Sequence, residues 1–156
     1  LSLHDALPIF DDRLKKFEPS TVKVDGVEFV ADPAETKAYE DALAVFRKGE
    51  FAAAGTAFND FIKRYPKSGY VVSSLFWVGN AQYASRDYNN AIKNFNALLS
   101  KAPSHMRAAD SMLSVANCQL ELKDLKAARK TLGEVVKTYP HTEAASAATE
   151  RLAKLK

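Results

Sequence analysis

LFWVGNAQYASRDYNNAIKNFNALLSKAP, residues 75–103, reads as two amphipathic helices with a turn between them and a stop at the end. Leu75, Val78, Gly79, Gln82 and Tyr83 recur at three- and four-residue spacing, which places them on one helical stripe. Ser85-Arg86-Asp87 makes the turn, and Tyr88, Ala91, Ile92, Phe95, Leu98 and Leu99 form the stripe of a second helix. Pro103 ends it, because proline has no N–H to give to the helical ladder. Gly79 and Ala91 are small enough to let the two backbones approach, and Phe95 fills the space beside them.

The same unit occurs on both sides. Pro66, Pro103 and Pro140 each close an apolar helical stretch and lie 37 residues apart. Ala54, Ala91 and Ala128 keep that step, as do Phe58, Phe95 and Leu132, then Phe61, Leu98 and Val135, and Ala42, Gly79 and Ala116. A small residue, an Ala after the turn, an aromatic or Leu, then Pro is the pattern of the tetratricopeptide repeat, whose usual period is about 34 residues. The extra three lie around each Pro and lengthen the link between units. The predicted fold is an all-α tetratricopeptide solenoid of three helix pairs, units 34–69, 70–106 and 107–141. Residues 142–156 carry Ala144, Ala148, Leu152 and Leu155 on one side and close the array as a capping helix with a wet outer face.

A short non-repeat segment precedes the array. Residues 1–9, LSLHDALPI, are set aside as a doubtful, non-native leader. In residues 10–19, Phe10, Leu14 and Phe17 have the spacing of a coiled-coil seam, which fits the end of a coiled coil cut off upstream or a short amphipathic helix stopped by Pro19. Residues 20–33 are a linker with a possible hairpin. Asp25-Gly26 between alternating apolar residues is a turn signal that pairs Val24 with Val27, Lys23 with Glu28 and Val22 with Phe29. An isolated two-stranded hairpin is marginal in water, so its Val/Phe face is expected to dock on the first repeat helix, which Asp32-Pro33 begins.

Chemistry-bearing constellations are absent from the sequence. His4, His105 and His141 are scattered and none has a partner at zinc-ligand spacing. Cys118 lies among Ala116, Leu120 and Leu122, where a thiol is a small hydrophobe. No phosphate-cradling glycine loop occurs. We therefore expect a binding protein, not an enzyme, with no catalytic residue, cofactor or metal. The 22 basic and 19 acidic residues are intermixed, which gives no footprint for nucleic acid. No run of 18 apolar residues offers a membrane span.

In a stack of helix pairs the first helices line the concave face. The repeat places Tyr39, Leu43 and Phe46, then Phe76, Asn80 and Tyr83, then Leu113, Asn117 and Leu120 at the inward positions. Asn80 and Asn117 are equivalent, and a side-chain amide can pair with the main chain of an extended peptide. It can equally bond a neighbouring helix. Trp77, the sole tryptophan, is either an interface anchor or packing between units.

RLKKFEPSTVKVDGVEFVADPAE, FNDFIKRYPKSGY, LFWVGNAQYASRDYNNAI, SVANCQLELKDLKAARKTL and YPHTEAASAATERLAKLK together cover about residues 11–156. In these strings the chain resembles the C-terminal region of the Tol-Pal-associated YbgF family, the cell division coordinator CpoB. The resemblance implies a periplasmic scaffold with TolA and the peptidoglycan synthase complex as protein partners. Such a scaffold coordinates Tol-Pal-driven outer-membrane constriction with septal wall synthesis. It also implies a homotrimer held by an upstream coiled coil, most of which, like a signal peptide, is not visible here. The alternative is a lipoprotein-type repeat adaptor of outer-membrane protein assembly.

Overall fold

The computed structural model describes residues 3–155. Leu1, Ser2 and Lys156 therefore lie outside it, and with them the ends of the leader and of the expected capping segment. In chain order the elements are α1 (Leu3–Lys15), β1 (Ser20–Val24), β2 (Val27–Ala31), α2 (Pro33–Arg47), α3 (Phe51–Arg64), α4 (Val71–Ala84), α5 (Tyr88–Lys101), α6 (Ala108–Glu121), α7 (Leu125–Thr138) and α8 (Glu143–Lys154). Helices α2/α3, α4/α5 and α6/α7 are the three pairs, and α8 packs on both α6 and α7. The fold is an all-α tetratricopeptide solenoid.

Helix ends follow from local chemistry. Each second helix stops two residues before its proline, at Arg64, Lys101 and Thr138. The intervening residues, Tyr65, Ala102 and Tyr139, leave the helical region with ψ near 53–69°, as a residue ahead of proline must. Each first helix ends in one repeated motif. Gly49, Arg86 and Lys123, again 37 apart, have φ of 80°, 62° and 63°. Their N–H groups donate to Phe46, Tyr83 and Leu120, and the next residues, Glu50, Asp87 and Asp124, donate to Val45, Gln82 and Gln119. This paired 5→2 and 6→1 pattern satisfies carbonyls that a helix end leaves open. Asp124 and Thr142 cap α7 and α8 by accepting from Ala127 and Ala145 backbone N–H groups.

The core runs through the pairs. Ala54, Phe58, Ala91, Phe95, Leu98, Ala128, Leu132 and Val135 are closed to solvent. Within unit two the fit is tight enough that a Cβ on Gly79 would sit 2.7 Å from the Phe95 ring. The equivalent positions carry Ala42 and Ala116, both buried.

The hairpin is formed, with the register Val22↔Phe29, Lys23↔Glu28 and Val24↔Val27. Asp25 and Gly26 both have positive φ, 49° and 78°, the geometry of the tight turn that suits the twist of paired strands. Val22, Val24 and Phe29 pack with Tyr39, Phe61 and Tyr70, so the hairpin covers the first unit and the link into the second. Val27, expected on the same inward face, is exposed. Leu14 and Phe17 are exposed, and the Phe10 side chain of the expected seam lies outside what is described.

Gly79→Ala gains about 1 kcal/mol of helix propensity but forces Phe95 to move, an overpacking cost of about 1–3 kcal/mol. We expect a net lower urea midpoint. Arg86→Gly and Lys123→Gly each relieve a left-handed side chain and should add about 1 kcal/mol of stability, read as a higher urea midpoint in equilibrium denaturation.

Candidate functional site

Helix α2 packs on α4 and α6 on α8, and the repeat pattern assigns nine positions of the first helices to an inner wall. Along that wall the nine inward positions divide in two. Tyr39, Leu43 and Phe76 are buried. Tyr39 stacks on Tyr70 with ring centres 4.3 Å apart, and its hydroxyl accepts a 3.1 Å hydrogen bond from the Trp77 indole N–H. Burial pushes its phenol up to about 12. Phe76 lies beneath the Arg107 guanidinium, 4.8 Å from the ring centre. These three shape the groove from behind and offer it little area.

Phe46, Asn80, Tyr83, Leu113, Asn117 and Leu120 are half-buried. Phe46 sets its edge against Trp77 at 5.1 Å. Asn80 Nδ2 donates to the Phe76 carbonyl one turn back at 2.8 Å, which holds the amide against its own helix. Tyr83 leans on Tyr88, and partial burial raises its phenol above the ordinary range. Leu113 packs against the third core cluster. Five of these six half-buried positions belong to units two and three, and Phe46 to unit one.

The hairpin tip reaches the first turn of α4 and the residue before α6, contacts that sequence reasoning did not place. Asp25 Oδ2 accepts from Ser73 Oγ at 2.6 Å, and its Oδ1 accepts from Arg107 Nε at 3.2 Å and from a terminal guanidinium nitrogen at 3.1 Å. The carboxylate is only 11% exposed. The guanidinium that holds it is braced on Phe76 and on Trp77, 5.4 Å from the indole. The Asp-Gly turn was legible, but Ser73 and Arg107 lie 48 and 82 residues downstream, and no spacing connects them to it.

Among the described residues no group of three His, Cys, Asp or Glu could hold a metal ion. Cys118 is buried, and burial raises its thiol to about 11, far from the thiolate a nucleophile needs. No helix among the described residues is long and apolar enough to cross a membrane.

Residues 31–156 match the family model YfiO, described as an outer membrane lipoprotein. The chain belongs to the YfiO family. Its tetratricopeptide region is also CpoB-like. It is 37% identical over 57 residues to the cell division coordinator CpoB of Pseudomonas putida strain KT2440, a stretch that is 36% of this chain and 21% of that protein. The chain thus matches about a fifth of the length of this curated relative. Among solved structures it resembles the TPR2B domain of yeast Sti1, determined as a complex with pHsp70 (TM-score 0.65, 18% identity, 78% of this chain and 94% of that one). It also resembles PcrH from Pseudomonas aeruginosa (TM-score 0.61, 15% identity, 81% and 92%). These likenesses show the fold that the YfiO-family chain adopts.

Removing the Tyr39 hydroxyl strands the Trp77 indole N–H against the groove floor. Tyr39→Phe should cost about 1–2 kcal/mol by chemical denaturation and shift the Trp77 emission maximum in the folded protein.

Proposed function

We propose that this chain is the partner-binding part of a periplasmic scaffold that coordinates Tol-Pal-driven constriction of the outer membrane with septal peptidoglycan synthesis. A tetratricopeptide adaptor of this kind has no reacting centre. It works by presenting a fixed concave wall to a segment of another protein. The observation that carries the binding role is the matched pair Asn80 and Asn117, half-buried on successive first helices, with Tyr83 and Leu120 beside them. The Asn80 amide, held by the Phe76 carbonyl of its own helix, spends little conformational entropy when it meets a peptide backbone. The flanking aromatic and aliphatic surfaces supply apolar contact with a polar tip. The CpoB likeness supports the division role, and both that name and the family description support a cell-envelope setting. TolA and the peptidoglycan synthase complex are the partners this reading names, with trimerisation supplied by a coiled coil upstream of the repeats.

The family description, outer membrane lipoprotein, favours a second reading: an adaptor in outer-membrane protein assembly. The two differ upstream of the repeats. Heptads behind a cleavable signal in the source gene favour the division coordinator, and a lipid-modified cysteine favours the assembly adaptor.

Titration of the chain with the periplasmic part of TolA, followed by Trp77 fluorescence and calorimetry, tests the first reading. Saturable binding that weakens at least about tenfold in the Asn80→Ala, Asn117→Ala double variant is expected, a loss of about 1.4 kcal/mol. Binding indifferent to the variant removes the groove role of the two amides. Absence of binding by the folded chain, and by a trimeric version of it, removes TolA as the partner.

A further inference from the structure

The contact between Asp25 and Arg107 joins the segment before the repeats to the third unit, across the face of the second. Its two halves differ in how firmly they are held. The donors belong to the array. Ser73 sits in the first turn of α4 and is buried. Arg107 immediately precedes α6, and its guanidinium is sandwiched over Phe76 and Trp77, with its own backbone N–H tied to His105 Nδ1 at 3.0 Å. The acceptor belongs to a two-stranded hairpin. Such a ribbon has little stability of its own. Apart from the tip, the hairpin is held by its apolar face, chiefly Phe29. That ring lies over Gly69 so closely that a Cβ there would fall 2.2 Å from it.

Rigid donors aimed at one carboxylate recognise a carboxylate, whichever chain presents it. A guanidinium gives Nε and a terminal nitrogen together, a geometry matched to carboxylate oxygens. The other titratable and polar groups turned toward Asp25 are His105, held neutral-leaning by burial, and the Tyr39 phenol. Neither carries a negative charge that would repel an incoming acid at neutral pH. We propose that Arg107 and Ser73 form a carboxylate-binding site at one end of the groove, that Asp25 fills it as an internal ligand, and that a protein partner docks by seating an acidic side chain of an extended segment there in its place. This rests on the concave face being the partner surface. The partner's main chain runs on past Asn80 and Asn117, while its carboxylate exchanges with that of Asp25. The hairpin tip is then a competitor built into the chain. A tip docked nine-tenths of the time lowers the apparent affinity for such a segment about tenfold.

The test uses the full chain and two amide-capped peptides. One has the sequence of residues 20–31, STVKVDGVEFVA, and the other carries Asn in place of its Asp. Trp77 fluorescence reports binding. The Asp25→Asn variant is expected to bind the acidic peptide at least about tenfold more tightly than the unaltered chain, to prefer it over the Asn peptide, and to lose it when Arg107→Gln is added. Gly69→Ala, which displaces Phe29 while leaving Asp25 and Arg107 in place, should tighten binding in the same direction. Equal affinity of Asp25→Asn and the unaltered chain, no preference between the two peptides, or no binding by Asp25→Asn shown folded by circular dichroism each overturns the proposal. Any of those results beside TolA binding that still depends on Asn80 and Asn117 rejects the carboxylate site alone. The expected peptide results beside TolA binding indifferent to those amides keep the site and reject the groove reading.

Discussion

Each helix pair closes because a small residue on one helix faces an aromatic or Leu on the other. Gly79 against Phe95 is the extreme case, with no room for a single methyl group, and the equivalent positions Ala42 with Phe58 and Ala116 with Leu132 are all buried. That close approach sets where the next helix begins, and so the offset between units. A pair closed this way still leaves one apolar side uncovered, which only a neighbouring pair or a cap can bury. Leu98 and Val135, both sealed from water, are where that burial happens. The inner wall from which the groove is made follows from the same contacts, since they fix how the first helices line up.

The repeat was legible because its signals are local and periodic. Pro66, Pro103 and Pro140 mark helix ends whatever the tertiary context, and the small and large core residues recur at one step. Arg86 and Lys123 were not legible as left-handed residues. Nothing in an arginine or a lysine announces positive φ, and only superposition on Gly49 in the first unit reveals that the motif requires it. The positions expected to face inward could be listed from the sequence, but their burial could not. Periodicity says which positions point inward, and it is silent on what covers them. Tyr39 and Phe76 point inward and are buried all the same, one beneath Tyr70 and Trp77, the other beneath Arg107.

The hairpin shows the same division. Its register is written in the Asp-Gly turn and the alternation around it, and the pairing follows that register. Its stability is not local. Val22, Val24 and Phe29 gain their burial from Tyr39, Phe61 and Tyr70, and the turn gains its charge partner from a residue at the start of the third unit. A segment that alone would be marginal is ordered because the array supplies both an apolar seat and a cation. The seat is shaped by Gly69, a position with no part in the repeat pattern.

The inner wall is consequently asymmetric. Its first-unit positions Tyr39 and Leu43 are buried, while Asn80, Tyr83, Leu113, Asn117 and Leu120 of units two and three are half-buried. Trp77 stands at the boundary. It touches Phe46 on one side, Phe76 on the other, Tyr39 through its N–H and Arg107 across its ring. Anything that enters the open half and anything that lifts the hairpin tip both act on this cluster. Coupling between the two is bounded by the difference in free energy that an occupant feels between the tip-docked and tip-released forms. An occupant that leaves Arg107 paired with Asp25 feels almost none. One that brings its own carboxylate feels the whole exchange, because the guanidinium held over Phe76 and Trp77 can serve one carboxylate well and two poorly.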